Sequence, residues 1–588
     1  MTDALRIANC SGFYGDRLSA AKEMVEGGPI DVLTGDYLAE LTLLILLKDR
    51  FKDPSLGYAR TFLRQLEQIA AACAQRGIKI VVNAGGLNPA GCAAAARALY
   101  EKLGLRAVVA HVEGDDLTPK LVALQAAGET FAHLDKGMPL ASLEAPVMSA
   151  NAYLGGFGIA AALERGADVV ICPRVTDAAL VVGPAAWRFK CRRDEWDALA
   201  GAVVAGHIIE CGAQCTGGNY SFFNEVPRLH RPGFPIAEVR ADGSCVITKH
   251  AGTDGLVSVG TVTAQLLYEI GGARYANPDV TARFDTIRVE QESADRVLVS
   301  GVRGEPPPPT TKVCINHAGG WKNGMTFILT GLDIPAKAQL AEETLWDLVG
   351  GREQFAESKV TLRRGDHADP DSNEAAFAHL TIAVRDADRD KVGRKFSNAA
   401  IEMALASYPG FTGTGPPGDA SQVGVFWPAL VASEAVDHRV VIGDATIDIA
   451  PVALPPSFTP PPAPSLALPP APGGPTRDAP LGTICGARSG DKGGNANVGV
   501  WVKTPEAYAW LVSFLSVARF RELISESRDL TVERHEFPNL LALNFVVKGL
   551  LGDGVAASLR SDPQAKTLGE YLRAKIVAIP TVLLSVLG

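Results

Sequence analysis

The chain has 588 residues, 60 of them Gly and 38 Pro. At 47% hydrophobic, 21% charged and 7% aromatic it has a globular composition that excludes wholesale disorder, and it is too long for a single core at roughly 100–200 residues per domain. A formal net charge of −9 excludes the basic footprint of a nucleic-acid binder. From Leu481 onward 12 Lys/Arg face 10 Asp/Glu, so the acidic excess lies upstream. That asymmetry is compatible with a C-terminal piece that meets an anion, and equally with a solvated surface.

The opening residues lack the regions of a secretory or transit peptide. The longest apolar stretch, Leu41–Leu47, falls short of the roughly 20 residues that span a bilayer. A soluble cytoplasmic protein with no membrane partner is expected. The ten cysteines are scattered and several lie in apolar runs, which reads as reduced, buried thiols. Cys211 and Cys215 have no partner pair at zinc spacing, so no metal site is expected.

In chain order, strands are predicted at Leu5–Asn9, Ile30–Leu33, Ile78–Val82, Ala107–His111, Val169–Cys172 and His207–Glu210. Helices are predicted at Tyr58–Gly77, Pro89–Gly104, Phe157–Glu164 and Thr176–Phe189. Such alternation implies an α/β fold with a largely parallel sheet covered on both faces. From about 234 to 335 alternating runs and an Asp242-Gly243 hairpin signal imply an antiparallel subdomain. A helix at Arg389–Ser407 and a strand pair, Val440–Ile442 and Thr446–Ile449, close a large domain at 1–450.

Twelve of the prolines fall within 451–480, which reads as a semi-rigid linker of polyproline character. Beyond it, at 481–588, strands at Leu481–Ala487, Asn497–Val502, Leu530–Arg534 and Leu541–Val547 and helices at Pro505–Ser527 and Gln564–Ile579 compose a small α+β domain.

Several segments are candidates for chemistry. Arg174-Val-Thr-Asp177 follows a strand and opens a helix, where open parallel sheets bind ligands. Arg174 suits a carboxylate or phosphate and Asp177 a base; helix capping by Thr176 or Asp177 is the plainer alternative. Ser11–Asp16, Thr34-Gly35-Asp36 and Asn83–Pro89 repeat the geometry. Each alone is turn chemistry, but together they would bring Asp16, Asp36 and Asn83 to one crevice. Gly486–Asn497 holds four glycines with Arg488, Asp491 and Lys492. It departs from the Walker A pattern and suits a cradle for a carboxylate or a CoA phosphate, or else a hairpin in which Asp491 pairs internally. Gly156-Phe-Gly158-Ile-Ala-Ala161 fits a dinucleotide fingerprint only if a clean strand precedes it, and Val147–Leu154 is a poor one. No cofactor is expected. Cys211 with a neighbouring His is a candidate nucleophile, although cysteine is more often simply packed. His317, beside Gly319 and Gly320, is a candidate acid/base.

Seven ordered motifs, Ala8–Asp16, Asp31–Glu40, Asn83–Pro89, Arg174–Asp177, Glu210–Asn219, Asp254–Val257 and Gly486–Asn497, resemble the acyclic terpene utilisation AtuA family with a fused C-terminal ferredoxin-like domain. The resemblance covers nearly the whole chain. It implies a role in catabolism of citronellol- and geraniol-type acids through CoA thioesters. The family often carries a small residue such as Ala where Cys215 stands, which speaks against a catalytic cysteine pair.

The expected function is therefore an enzyme of acyclic terpenoid or branched-chain acyl-CoA breakdown, a lyase or hydratase. Asp177 or Asp36 would be the base, Asn83 and Arg174 carbonyl or carboxylate binders, and Arg488 and Lys492 anion binders. The alternative is a non-catalytic assembly subunit of a catabolic complex. Antiparallel edges and a tethered small domain suit a homo-oligomer.

Overall fold

Short runs of Val, Ile and Ala between capped helices dictate the centre of the computed structural model, which describes residues 4–462 and 466–585. The first strands are β1 (Leu5–Asn9), β2 (Val32–Gly35), β3 (Lys79–Val82), β4 (Val109–Glu113), β5 (Val147–Ala152) and β6 (Val169–Ile171). All but β5 pair in parallel in the order β1-β2-β3-β6-β4. Side chains alternate between faces, as the period of two requires. Ile7, Val32, Val81 and Val170 meet the helices Phe157–Glu164, Ala179–Phe189 and Trp196–Ile209. Ala8, Leu33, Ile80 and Ile171 meet Arg60–Arg76 and Pro89–Lys102. Local chemistry sets the helix ends: Gly77 takes φ +67° after the first of these, and the Asn88 side chain accepts the Gly91 N–H ahead of the second.

Antiparallel strands extend both edges of this centre. The hairpin β7 (Pro235–Val239) and β8 (Cys245–Lys249) joins β1, followed by Arg296–Ser300 and Arg288–Ser293. On the other edge Arg439–Ile442 pairs with β4, and Ala445–Asp448 follows. The result is one mixed sheet of eleven strands, parallel at its centre, in a mixed α/β fold.

Cα clustering divides the chain into two units. The first comprises 1–315, 426–551 and 564–588, and contains the eleven-stranded sheet and the C-terminal α+β domain. The second comprises 316–425 and 552–563. Its core packs Phe327, Leu380 and Ile382 of an antiparallel sheet against Leu345 and Phe396 from the helices Ile334–Val349 and Phe396–Glu402. The strand Thr310–Thr330 runs unbroken through the position at which the clustering divides the chain.

The C-terminal sheet has four antiparallel strands, Gly486–Lys492, Asn495–Trp501, Ala542–Val547 and Val532–Phe537 in that order. The segment 486–497 is thus two strands joined at Gly493-Gly494, not a loop; Gly493 takes φ +63°, as a two-residue hairpin demands. The predicted helix 505–527 breaks after Phe514, where the Ser516 side chain caps a second helix, Val517–Leu523. The predicted helix 564–579 shrinks to Leu568–Arg573, and Ile576–Pro580 instead pairs with Thr476–Pro480 at the end of the Pro-rich segment. There Ile576, Val577, Ala578 and Ile579 alternate exposed and buried, a strand period beneath an apolar composition.

Two further predictions are corrected. His207–Glu210 is not a strand but the end of the helix Trp196–Ile209, whose residues from Leu199 onward are all buried. A helix buried all round shows no amphipathic period, so its apolar end mimics a strand. Val147–Ala152, read as a poor strand, is β5, and it pairs with Thr310–Thr330 rather than joining the parallel centre.

Candidate functional site

Five parallel strands end at one edge of the sheet, where ligands bind in open α/β folds. After β2 comes Asp36, after β3 Asn83, after β4 Asp115 and after β6 Arg174. Hydrogen bonds link them in two pairs, Asp36 with Asn83 and Asp115 with Arg174. Asn83 Nδ2 donates to Asp36 Oδ1 at 2.6 Å, and the Leu38 N–H donates to the same oxygen at 3.0 Å. Asn83 Oδ1 accepts the Tyr37 N–H at 2.7 Å, which locks the amide's orientation. Asp115 Oδ2 accepts from Asn151 Nδ2 at 2.8 Å and from the Arg174 N–H at 3.3 Å.

Arg174, 3% exposed, pairs with Asp177 at 2.9 Å, donates to the Leu38 carbonyl at 3.4 Å and lies 4.1 Å from the Tyr153 ring centroid. A buried guanidinium is stable only with such partners. Leu38 and Tyr153 belong to an apolar cluster with Leu43, Leu46 and Cys314, so the polar groups border a hydrocarbon wall.

The helix Trp196–Ile209 delivers Glu210 and Cys211 to the same region. Asn9 Nδ2, from the end of β1, donates to the Glu210 carbonyl at 3.2 Å. Gly12 is required here: a Cβ on it would stand 2.6 Å from the Cys211 carbonyl carbon. Glu210 is buried, its Oε1 lies 3.4 Å from His207 Nδ1, and its Oε2 has no hydrogen-bond partner among the described residues.

Electrostatics follow from this crowding. Burial, then the charge of Asp177, raises the Asp36 carboxyl well above the usual carboxylate range, against the pull of Arg174 and the Asn83 bond. Burial with Asp177 and Glu269 does the same to Glu210. Burial lifts Asp115 to about 7 and lowers His207 to about 4, leaving its imidazole neutral at physiological pH. Burial, then Glu210 and Glu269, pushes the Cys211 thiol well up, which leaves it a poor nucleophile.

The C-terminal hairpin reaches this region. Arg488 bonds Gln214 and lies 4.3 Å from the Tyr268 ring centroid, and Lys492 Nζ donates to the Glu269 carbonyl at 2.7 Å. Asn497 Oδ1 accepts the Glu269 N–H at 2.8 Å, and Asn544 Nδ2 donates to the Gly271 carbonyl at 2.7 Å. Glu269 takes φ +56°, so this turn is held in a conformation rare for a side chain of its kind. Asp491 pairs with Lys566 at 3.6 Å.

Of the predicted residues, Asp36, Asn83, Arg174 and Asp177 are brought together. Glu210 feels the charges of Asp177, Arg174 and Lys492, and Cys211 those of Glu210 and Arg488. Asp16 serves its own loop, accepting the Gly12 N–H at 2.8 Å. His317 belongs to the second unit, its Nδ1 at 3.0 Å from the Ala318 carbonyl. Glu210, Asp115, Tyr153 and Glu269 were missed. Glu210 lies inside one of the seven motifs, at the end of a segment whose apolar run predicts a strand; nothing in the sequence marks Glu269.

The fingerprint at Gly156 has a packing explanation. A Cβ on Gly156 would meet the Gly183 nitrogen at 2.7 Å, and one on Gly158 would meet His438 Nε2 at 2.3 Å. Among the described residues no cluster of three His, Cys, Asp or Glu is placed to hold a metal ion, and no helix is long and apolar enough to cross a membrane.

An α/β sheet with a strand-end crevice, followed by a small α+β domain, is what the acyclic terpene utilisation family models match in this chain. The chain belongs to that family: the model for acyclic terpene utilisation family protein AtuA matches residues 5–442, and the AtuA ferredoxin-like domain matches 479–578. No curated protein and no solved structure matches the chain.

Proposed function

We propose that the crevice binds the CoA thioester of an acyclic terpenoid or other branched-chain acid and adds water to it, or removes water, as a hydratase or lyase. The observation that carries this reading is the juxtaposition of the Asp36–Asn83 and Arg174–Asp177 pairs with the apolar Leu38–Tyr153 cluster. It supplies a carboxyl that holds its proton more tightly than usual, a second carboxyl, a cation for an acyl oxygen and a wall for a hydrocarbon chain.

In the hydration direction Arg174 holds the thioester oxygen and polarises the conjugated double bond. Asp177 takes a proton from water, whose oxygen bonds to the β-carbon. The π pair moves to the α-carbon, which takes the proton of Asp36. Exchange with solvent returns the two carboxyls to their starting states. Asn83 orients Asp36, while Arg488 and Lys492 face the anionic part of CoA from the C-terminal hairpin. Family membership supports the terpenoid substrate class.

The test uses purified protein and geranoyl-CoA, a 3-methyl-branched enoyl thioester, with loss of enoyl absorbance as the readout. Turnover is expected, falling at least a hundredfold in Asp36→Asn and Asp177→Asn. Growth on citronellol should be lost together with it in Arg174→Ala. Absence of turnover and of thioester binding, with a second chain co-purifying, would favour an assembly subunit instead.

A further inference from the structure

A cavity of about 850 Å³ lies in the first unit, outside the polar crevice. This is the size of small-molecule sites. Tyr153 contributes to both: its ring packs on Arg174 and also lines this cavity. The remaining wall is mostly hydrocarbon, with Leu154, Phe157 and Val436 facing Pro307–Pro309 and the start of the Pro-rich segment, 450–454. That segment is not a free spacer here, because Arg193 donates to the carbonyls of Ala450 and Pro451.

Three ionisable groups line the cavity among these apolar residues. Arg193 stacks 4.6 Å from the Phe157 ring centroid. Asp279, buried, accepts the Gly156 N–H at 2.6 Å, in space that a Cβ on Gly155 would fill. His438 packs on Gly158 with no hydrogen-bond partner for Nε2 among the described residues. Burial raises Asp279 to about 6 and holds His438 near 4, so at neutral pH the first is ionised and the second uncharged. The exposed Glu434 adds a further negative charge at the wall. A carboxylate ligand would therefore meet two like charges against one guanidinium. A hydroxyl has no such conflict, since it accepts from a guanidinium and donates to a carboxylate.

We propose that this cavity is a second binding site, distinct from the crevice, for a neutral aliphatic alcohol: a hydrocarbon body against the proline and aliphatic wall, its hydroxyl at the Arg193–Asp279 end. The Pro-rich segment then forms one wall of a ligand site. This inference is independent of the hydratase reading.

Calorimetric titration of the full chain with 1-octanol, and separately with octanoate, tests it. Octanol should bind, with octanoate at least tenfold weaker at pH 8. Arg193→Gln should weaken octanol about tenfold, and so should Ala453→Trp, which fills the cavity mouth from an exposed linker position and leaves the core untouched. Arg174→Gln should leave octanol binding in place. Equal binding of the acid and the alcohol overturns the proposal. So does wild-type affinity in both Arg193→Gln and Ala453→Trp, or loss of octanol binding in Arg174→Gln, which would assign the alcohol to the crevice.

Discussion

Two glycine-rich, charge-bearing regions of this chain look alike as sequence and do different work. At the strand ends, Gly12 and Gly85 let backbone pass backbone: a Cβ would stand 2.6 Å from the Cys211 carbonyl carbon at the first and 2.6 Å from the Cys172 oxygen at the second. That closeness draws separate loops together until Asp36, Asn83 and Arg174 share a site. In the C-terminal hairpin, Gly490 and Gly499 leave a smooth strand face. A Cβ there would meet the Tyr268 ring at 2.4 Å or Leu267 Cβ at 2.5 Å. These glycines seat a helix end rather than cradle an anion. What fills the space of the missing Cβ, more than the presence of glycine, separates a ligand-facing loop from a docking face.

The sharpest way to break this comparison is to change the chemistry of the crevice without its shape. Asp36→Asn keeps an oxygen for the Leu38 N–H and should keep the fold's melting temperature within a few degrees. Thioester turnover should nevertheless fall by about 10²–10⁴. A loss of stability as large as the loss of activity would make Asp36 structural.

The docking face is tested by Gly490→Val. Overpacking against the Tyr268 ring should cost about 1–3 kcal/mol, read as earlier unfolding in urea and faster proteolytic cutting between 451 and 480. Activity should drop less than in Asp36→Asn, because Arg488 and Lys492 are displaced while the strand-end groups stay in place. If Gly490→Val abolished turnover with no change in proteolysis, the glycine face itself would contact the ligand rather than pack on Tyr268.

These differences explain which parts could be read from the sequence. The parallel strands and Asp36, Asn83, Arg174 and Asp177 were legible because a strand, a glycine turn and a helix start occur together in a local pattern. The hairpin strands 486–492 and 495–501 were hidden by Gly, Ala, Asn and charge, which carry no strand propensity. Tertiary packing on Tyr268 decides them. Glu210 was hidden for the opposite reason, since Trp196–Ile209 is apolar on every face from Leu199 onward and has no period to read. Glu269 acts from a turn held by Asn497 and Lys492, more than 200 residues away, and no local signal reports such a contact.

A smaller effect separates the support of the crevice from its chemistry. Asp115 titrates near 7 in the fold, above its usual value of 3.8, because burial disfavours the charged form. Its folded pKa is raised, so the associated stability is complete below about 4 and is lost as pH rises through about 7. Asp115→Asn, which still accepts from Asn151, should flatten that decline and leave the variant a few degrees more stable than wild type at pH 8. An unchanged slope in a thermal series from pH 5 to 8 would show that Asp115 does not control it.

The smallest effect is expected at Cys211. It lies beside Glu210, and the Gly12 backbone passes close to its own, so position alone makes it look like a nucleophile. Its surroundings act against that role. Burial and two carboxylates raise the thiol, Arg488 opposes them, and His207, in the last turn of the preceding helix, is buried with Glu210 at its Nδ1. A nucleophilic cysteine needs the reverse, a cation or a base at the sulfur. Cys211→Ser should therefore keep thioester turnover within about threefold of wild type, and iodoacetamide should label the native protein there slowly. A hundredfold loss, or rapid alkylation that abolishes turnover, would move the chemistry from the strand-end carboxyls to the thiol.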